Sequence, residues 1–437
     1  MLYYDMILHL MEKYRNRIAD GILARKLDTM GAVLVEGPKW CGKTTTCKQV
    51  AKSVLDLSDP DIRDHALEMA EIDIKPLLEG LTPRLIDEWQ DVPKFWDAIR
   101  HRVDVSGGCG LFLLTGSAVV REEKRKQIKH SGTGRISRMR MRPMSLWESG
   151  ESSGAVSVSG LFGGDNFVSG ASKAYSLADV AYLVCRGGWP KAVERGGNEA
   201  LDYAFEYVDA VAESDLSRVD GVPRSPERIR RLLKSLSRLQ ATQSSLATIR
   251  KDMAANDEST LSELTIASYI NALEKIFVID NAHAWSPNLR AKSTVRTSDT
   301  RYFADPSIAV AAIGAGPGTL MDDLATFGLF FETMAVRDLR VYAESIGGFV
   351  EHYHDKTGLE CDAVIHLRNG DFGLVEIKLG GETLIGEGVR TLAKLSALAT
   401  AKLKRAPKFK MVLCAVGDYA YRRKDGIIIA PIGSLKD

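Results

Sequence analysis

The chain has 437 residues, of which 45% are hydrophobic and 26% charged, and its formal net charge is +1. These values are those of ordinary globular domains and exclude a collagen-like, low-complexity or strongly basic protein, so any surface for an anionic partner must be local. The six cysteines form no CxxC pair, and no apolar run is long enough to span a bilayer. We therefore expect a cytoplasmic protein with no membrane partner.

Residues 1–150 alternate apolar, strand-like stretches with helical ones, a pattern typical of a parallel sheet with crossover helices. The predicted elements are strands at 32–36, 84–87 and 111–115 and helices at 44–54 and 91–103. At roughly 100–200 residues per domain, the full length leaves room for two to four domains.

A Gly- and Ser-rich stretch at 150–173 predicts a linker or excursion. A helical pattern with many Arg and Leu residues follows to about residue 280. The C-terminal part returns to strands after a predicted helix at 324–340. The elements expected there are strands at 363–367, 373–378, 410–416 and 426–430, with a helix at 386–399.

Residues 37–44 read GPKWCGKT and match the pattern G-x-x-x-x-G-K-[ST] between a predicted strand and a predicted helix. Gly37 and Gly42 let the backbone approach phosphate oxygens, while successive amide groups face the phosphates at the helix N-terminus. Lys43 would reach the β- and γ-phosphates, and Thr44 would offer its hydroxyl to Mg²⁺. The sequence therefore predicts an ATP and Mg²⁺ site. The expected nucleotide contacts are Gly37, Pro38, Lys39, Trp40, Cys41, Gly42, Lys43, Thr44, Thr45 and Thr115.

A second motif, LIDEWQ at 85–90, places two acids at the end of an apolar strand. Asp87 is positioned to hold Mg²⁺ through water, and Glu88 to orient or deprotonate the attacking water. The alternative is a solvated acidic pair at a strand end. The third predicted strand ends in Thr115 and Ser117, which either touch the γ-phosphate or the attacking water, or simply cap the strand.

Phosphoryl transfer also needs a cation for the charge of the transition state. Residues 121–142 contain nine Lys or Arg residues and two Glu residues. Arg135, which follows Gly132 and Gly134, is our first candidate and Arg138 our second. The alternative is a solvated basic face or loop.

The segment 351–380 contains a second group of charged residues around an Asn-Gly-Asp turn at 369–371, a strong hairpin signal. Glu376 and Lys378 are two residues apart on one predicted strand and therefore share a face, and Asp362 opens the partner strand. The carboxylates of Asp362 and Glu376 would hold Mg²⁺ or Mn²⁺, and Lys378 would steady the attacking water. Glu332, upstream on a helix, could join them. The alternative is an amphipathic hairpin with a salt-bridged outer face.

Together these motifs resemble the prokaryotic AAA-type P-loop ATPases that carry a C-terminal DUF4143 domain. GPKWCGKTT, LIDEWQDVP and LLTGS resemble the Walker A, Walker B and sensor segments of that family. GRISRMRMRPMSLWE, RGGWP and RYFADPSI resemble further motifs, and 227–280 resembles its winged-helix-like helices. The segment from HYHDKTGLECDAVI to GLVEIKLG resembles its nuclease-like domain of the PD-(D/E)xK type.

The resemblance implies an α/β protein of three parts. These are an N-terminal P-loop AAA-like parallel sheet domain at 1–150, a helical lid and winged-helix-like region at 151–290, and a restriction-endonuclease-like DUF4143 domain at 291–437. The implied roles are nucleotide binding by Gly37, Gly42, Lys43 and Thr44, Mg²⁺ binding by Asp87, water activation by Glu88, and γ-phosphate contact by Arg135, from the same chain or from a neighbour. Asp362, Glu376 and Lys378 would form the nuclease-like core, with Glu332 as the helix carboxylate.

The helix predicted at 265–276 has an apolar stripe of Ile266, Ile270, Leu273 and Phe277. Its outward face carries Ser268, Asn271 and Lys275. In a winged helix that face can enter a DNA groove. The alternative, favoured by its few basic residues, is a packing module between the ATPase and C-terminal domains.

Three functions follow from these observations. The first is a Mg²⁺-dependent ATPase that drives an activity on DNA or RNA. The second is an ATP-driven switch or chaperone-like regulator whose inactive nuclease-like domain binds a protein partner. The third is a winged-helix DNA-binding ATPase. An arginine supplied by a neighbouring chain would require a homo-oligomer.

Overall fold

The computed structural model describes residues 14–117, 126–254, 261–287 and 298–437. Its N-terminal layer is a parallel sheet that contains the first predicted strand. Its strand order is β2-β3-β4-β1-β5, and every neighbouring pair is parallel. The elements are α1 (Ile18–Thr29), β1 (Ala32–Glu36), α2 (Lys43–Lys48), β2 (Ser53–Asp56), α3 (Pro60–Ile72), β3 (Arg84–Asp87), α4 (Lys94–Ser106), β4 (Phe112–Gly116) and β5 (Ile136–Arg140).

The structure confirms the three strands predicted in this layer and adds two that the sequence patterns did not show. The helix predicted at 44–54 ends at Lys48, because its last residues enter β2 and pair with β3. β5 lies within the basic stretch 121–142, of which residues 121–125 are outside the described residues. It is an edge strand that pairs with β1, and it buries Ile136 and Met139 on opposite faces of the sheet while Arg138 stays exposed.

A helical region follows at 177–275, and its pattern agrees with the prediction of a helical middle. Ile266, Ile270, Leu273 and Phe277 are all buried, as predicted, and antiparallel bridges then join Ile279 to Phe303 and Ala282 to Thr300. The winged-helix interpretation stays a prediction. The helices are α6 (Leu177–Arg186), α7 (Pro190–Arg195), α8 (Glu199–Ala210), a π-helical turn (Val211–Asp215), α9 (Leu216–Asp220), α10 (Pro226–Arg238), α11 (Leu246–Ala254), α12 (Glu263–Lys275), α13 (Pro306–Ile313) and α14 (Pro317–Asp322).

The C-terminal layer is a mixed sheet of β7 (Ser169–Ala171), β12, β13, β11, β10, β9 and β8, in that order. A long helix, α15 (Leu324–Ser345), covers one face through residues such as Phe330, and α16 (Glu382–Leu403) covers the other through Leu392 and Leu395. The strands are β8 (Phe349–His354), β9 (Glu360–His366), β10 (Phe372–Lys378), β11 (Lys410–Cys414), β12 (Tyr419–Arg422), β13 (Ile428–Pro431) and β14 (Leu435–Lys436). The predicted strands match β9, β10, β11 and β13, whereas β8 and β12 were not predicted.

The Gly- and Ser-rich stretch 150–173 is not a linker, contrary to the sequence prediction. It forms β6 (Val156–Ser157), α5 (Val158–Gly163) and β7 (Ser169–Ala171). β7 pairs with β12 and β6 pairs with β14, so the stretch completes the C-terminal sheets. The reason is that four of its apolar side chains, Val156, Val158, Leu161 and Phe162, are buried, with Phe162 packed edge-on against Phe409 at 5.2 Å between ring centroids.

None of the described helices combines the length and apolar character that a membrane crossing requires.

A buried carboxylate, Asp280, connects the three regions of the chain. It accepts hydrogen bonds at 2.7 Å from both Arg140 Nη1 and Arg142 Nε, which come from the end of β5. Arg340 on α15 lies 3.3 Å from its Oδ2 and donates to its main-chain carbonyl at 2.7 Å. Burial alone would raise the pKa of Asp280, but Arg142, Arg340 and Arg140 together hold that pKa well below its ordinary value. The carboxylate therefore stays ionised inside the protein.

Replacement of Asp280 should destabilise the folded chain, because it leaves buried guanidinium groups without their shared counterion. We expect Asp280→Asn to lower the free energy of unfolding by about 3–5 kcal/mol. The control is Asp252→Asn, which removes a more exposed ion pair with Arg238 within the helical region and should cost at most about 1 kcal/mol. Urea unfolding of both variants measures the difference, and equal losses would contradict the connecting role of Asp280.

Candidate functional site

The loop between β1 and α2 requires glycine at two positions. Gly37 has φ +156°, and a β-carbon there would overlap the carbonyl oxygen of Met141. Gly42 has φ +99° and directly precedes Lys43, the first residue of α2. The loop therefore turns with its backbone amides at a helix N-terminus, an arrangement that binds phosphate groups.

Walker A and Walker B residues are in direct contact at the carboxyl edge of the sheet. Thr44 Oγ1 donates a hydrogen bond to Asp87 Oδ1 at 3.0 Å, and the Thr115 hydroxyl donates to the same carboxylate oxygen. A hydroxyl and a carboxylate held together are oxygen ligands suited to Mg²⁺. Lys43 is almost fully buried, and its Nζ donates to the carbonyls of Gly37 (3.0 Å) and Pro38 (2.8 Å).

Glu88 turns from the end of β3 toward an open cavity. Its φ of 56° lies in the left-handed region, which is uncommon for a residue with a side chain and is often found at functional sites. The Gln90 amide donates to its carboxylate, and Ser117 Oγ lies 3.4 Å from both carboxylate oxygens. Glu88 is thus oriented by two neighbouring side chains.

The cavity beside the loop has a volume of about 740 Å³, within the usual range for small-molecule sites. The predicted residues that line it are Lys39, Trp40, Gly42, Lys43, Thr44, Thr45, Glu88 and Ser117. Cys41 instead packs into the core behind the loop, and Thr115 acts through Asp87. Gly37 and Pro38 contribute the carbonyls that hold Lys43.

Several cavity residues come from segments that the sequence analysis did not assign to the site. Tyr14, Arg15 and Arg17 precede α1, and Trp189 and Lys191 lie at the start of α7. Buried Arg17 donates to the carbonyls of Cys41 (2.9 Å) and Arg142 (2.8 Å), so it fixes the loop from behind. The RGGWP motif at 186–190 is the sequence signal that could have located the second group. The first group shows no such signal.

The tip of the phosphate loop is docked on the helical region. Lys39 Nζ contacts Asp215 Oδ1 at 2.6 Å, in the π-helical turn after α8. The ring of Trp40 meets Tyr207 edge-on at 5.5 Å, and Tyr207 stacks on buried Trp189 at 4.6 Å. A change in loop conformation would therefore alter the packing of the loop against α8 and, through Tyr207 and Trp189, against the start of α7.

The two arginines predicted to contact the γ-phosphate do not line the cavity of their own chain. Arg135 precedes β5, and because β5 is parallel to β1, it lies at the edge opposite the phosphate loop. Its Nε donates to Asp104 Oδ1 at 2.5 Å, and Arg138 pairs with Glu36 at 2.8 Å. Within one chain, the structure instead brings Arg15 and Lys191 to the cavity.

The C-terminal charged residues converge at one end of β9 and β10. Lys378 Nζ lies 2.9 Å from Glu376 Oε2 and 3.3 Å from Asp362 Oδ2, and the backbone amide of Ile377 donates to the same Asp362 oxygen at 2.6 Å. A cleft of about 530 Å³ opens over them, with Arg390 and Lys394 of α16 on its other side.

Two carboxyl groups in this cluster are electrostatically strained. Burial, with repulsion from Asp362, raises the pKa of Glu376 to about 8. The same causes raise the pKa of Glu332 well above its ordinary value, and the Tyr302 hydroxyl donates to Glu332 at 2.6 Å. The buried Glu376 Oε1 has no hydrogen-bond partner among the described residues.

These observations fit a divalent cation held by Asp362 and Glu376, since a cation would satisfy the unpaired oxygen and offset the repulsion. In the described ranges, however, no group of three or more His, Cys, Asp or Glu side chains is arranged to hold a metal ion. A cation here would thus depend on two carboxylates completed by backbone oxygen or water, which is the usual coordination of Mg²⁺.

Comparison with protein families gives three matches along the chain. An AAA domain matches residues 29–149, a domain of unknown function (DUF8612) matches 177–319, and another (DUF4143) matches 327–435. No curated protein matches the chain.

Some solved structures are similar to this chain at low sequence identity. A Walker-type ATPase of Pyrococcus abyssi is 13% identical over 69% of this chain and 97% of its own, with a TM-score of 0.41. The ORC2 protein of Aeropyrum pernix in its ADP form is 12% identical over 74% and 97%, with a TM-score of 0.29. The ORC1 protein of the same organism, in complex with DNA, is 12% identical over 72% and 94%, with a TM-score of 0.23.

The family matches agree with the geometry of the chain at both ends. The AAA match spans the parallel sheet and its phosphate loop, and the DUF4143 match spans α15 and the sheet with the acidic cluster. The chain therefore contains an N-terminal AAA domain with a P-loop and a C-terminal DUF4143 domain.

Proposed function

We propose that the chain binds ATP with Mg²⁺ in the cavity beside the phosphate loop, hydrolyses it, and couples hydrolysis to an activity directed at nucleic acid. The observation that carries the proposal is the hydrogen bond between Thr44 and Asp87, beside Glu88. This hydrogen bond joins the phosphate-binding loop to Asp87, the acid that would hold the cation. The neighbouring Glu88 lines the cavity.

Each residue of the cavity has a defined part in this chemistry. The loop amides and Lys43 would bind the phosphates, and Lys43 would exchange its bonds to the Gly37 and Pro38 carbonyls for phosphate oxygens. Thr44 and Asp87 would hold Mg²⁺, which neutralises charge on the phosphates when bound. Glu88, oriented by Gln90 and Ser117, would position a water molecule and accept its proton.

The cation that assists hydrolysis within one chain is Lys191. It lines the cavity at the first turn of α7, and no acidic side chain pairs with it in the described part of the chain. Arg15 also lines the cavity, but its Nη1 is engaged by the Ser149 carbonyl at 2.9 Å. Arg135 stays a prediction for a contact supplied by a neighbouring chain.

The C-terminal cluster would supply the nucleic-acid-directed step. Asp362 and Glu376 would hold a divalent cation that polarises a phosphodiester group, and Lys378 would steady the attacking water. The support for this step is the unpaired, buried Glu376 Oε1 together with the two basic residues of α16 across the cleft.

A specific observation favours a second candidate, the nucleotide-driven switch with a partner-binding domain. The contacts of Lys39 and Trp40 with Asp215 and Tyr207 couple the phosphate loop to the helical region. Lys378 also contacts both carboxylates of the C-terminal cluster and offsets part of their charge without a metal ion. In that case, ATP would alter partner binding, and the cluster would be structural.

Removal of Lys43 and of Glu88 should affect different steps. Lys43→Ala should abolish ATP binding, measured by calorimetry. Glu88→Gln should keep the Kd for ATP within a few-fold and lower kcat by about 100-fold or more, since it removes the general base. Glu68→Gln, an exposed change on α3, is the control and should leave turnover unchanged. Full turnover by Glu88→Gln would refute the assigned role of Glu88.

The roles of Lys191 and Arg135 in ATP hydrolysis should be distinguished by measuring turnover at several protein concentrations. Lys191→Ala should lower kcat by about tenfold or more at every concentration, because it removes a cation that lines the cavity of its own chain. Arg135→Ala should leave the rate at high dilution unchanged and abolish any rise in specific activity on assembly. A loss of activity in dilute Arg135→Ala would show that this arginine acts within its own chain.

The acidic cluster is tested by nucleic-acid cleavage with Mg²⁺ or Mn²⁺ and ATP. Wild type should cut a single- or double-stranded substrate, and Asp362→Asn should lower the rate by about 100-fold or more, because it removes a cation ligand. Asp425→Asn, in an exposed turn of the same domain, is the control. If wild type and Asp362→Asn are equally inert on all substrates, the cleavage step is wrong and the switch is favoured.

A further inference from the structure

A second large groove lies where the ATPase domain meets the C-terminal domain, away from both sites described above. Its volume is about 910 Å³, and α1, β5, the end of α15 and the turn between β9 and β10 line it. Five of its lining residues are basic and one, Glu344, is acidic. The basic residues are Arg25, Lys26, Arg138, Arg140 and Arg368. The chain as a whole is nearly neutral, so this is a local concentration of positive charge.

Three of the five cations, Arg25, Lys26 and Arg368, make no ion pair with a carboxylate of the described residues. Arg25 Nη2 donates to the Ser345 carbonyl at 2.6 Å, and Lys26 Nζ donates to Ser137 Oγ at 2.8 Å. Arg368 makes no ion pair with any residue that the structure describes. The one acid, Glu344, is already bound to Arg142. The groove thus retains a net positive charge that the protein itself does not neutralise.

The close approach of these cations affects the pKa of Lys26. Burial, followed by the charge of Arg368, lowers the pKa of Lys26 from its ordinary value; Glu344 opposes this effect and Arg25 adds to it. Mutual repulsion of this kind disfavours the groove on its own and is relieved when an anion binds between the cations.

An exposed aromatic ring lies within the same groove. Phe349, at the start of β8, is 47% exposed although it is a large apolar side chain. The Arg368 guanidinium lies 5.8 Å from the centre of its ring, and the His366 ring lies 5.5 Å away at an angle of 31°. Aromatic rings beside unpaired cations are the means by which proteins bind single-stranded nucleic acid, since bases stack on the rings and phosphates contact the cations.

We propose that this groove binds a single strand of DNA or RNA, with phosphates at Arg25, Lys26 and Arg368 and a base stacked on Phe349. The inference rests on the nucleic-acid-directed activity proposed above and assigns the surface that holds the strand. A duplex fits less well, because its bases already stack on one another and cannot reach the Phe349 ring. The groove borders both domains, so a bound strand would contact the ATPase layer and the DUF4143 layer together.

The test measures binding of fluorescent oligo-dT and oligo-U strands to the full chain by anisotropy across a salt series. The double variant of Arg25→Ala and Arg368→Ala should bind at least about tenfold more weakly, and the slope of log affinity against log salt should fall by about 0.7 for each lost phosphate contact. Phe349→Ala should weaken binding by about tenfold, and Phe349→Trp should preserve it. Lys424→Ala removes one exposed charge elsewhere in the same domain and should change binding less than twofold.

Each remaining outcome decides between explanations. If wild type binds no nucleic acid, the proposed nucleic-acid-directed activity fails, and the groove assignment fails with it. If wild type binds and the groove variants bind equally well, only the groove assignment is overturned. Duplex binding that is insensitive to Phe349→Ala overturns the single-strand assignment, and stronger binding of poly-glutamate than of either strand identifies a surface for acidic protein instead. Unchanged ATP binding by calorimetry confirms that each variant is folded.

Discussion

The shared carboxylate of Asp280 is the interaction on which the arrangement of the three regions depends. It binds Arg140 and Arg142 from the end of β5, and Arg340 from the helix that covers the C-terminal sheet. A buried carboxylate would normally gain a proton, yet three guanidinium groups keep this one ionised. Such a cluster tolerates little displacement, because any separation leaves an uncompensated charge inside the protein. The edge strand of the ATPase is thereby held against α15.

This attachment determines what the other surfaces can do. β5 begins at the edge opposite the phosphate loop and ends at the Asp280 cluster, so its arginines line the domain boundary and the basic groove, not the cavity beside the phosphate loop. The cavity is completed instead by α7 and by the segment before α1. The contacts of Lys39 and Trp40 with α8 and the π-helical turn give the phosphate loop a direct connection to the helical region. A movement of the phosphate loop would therefore change its contacts with those helices.

The two proposed cation sites differ in how they balance charge. At the phosphate loop, the hydroxyls of Thr44 and Thr115 donate to the Asp87 carboxylate, so neutral donors stabilise its negative charge without cancelling it. In the C-terminal cluster, Lys378 lies between Asp362 and Glu376, while Glu376 and Glu332 have raised pKa values because they are buried near other acids. A cation in the second site must compete with an internal lysine.

The sequence by itself determined the phosphate loop, the acids that end β3, the central strands β1, β3 and β4, and the shared face of Glu376 and Lys378, because each depends on local spacing along one strand or turn. It did not show β2 or β5, whose short or charged segments become strands only by pairing with neighbours. Nor did it show that the Gly- and Ser-rich stretch completes the C-terminal sheets, since few of its residues are apolar. The sides of the ATP cavity formed by Arg15 and Lys191, the Asp280 cluster and the basic groove join residues from separate regions of the chain. Only tertiary packing decided these features, because local patterns carry no information about which distant charges will meet.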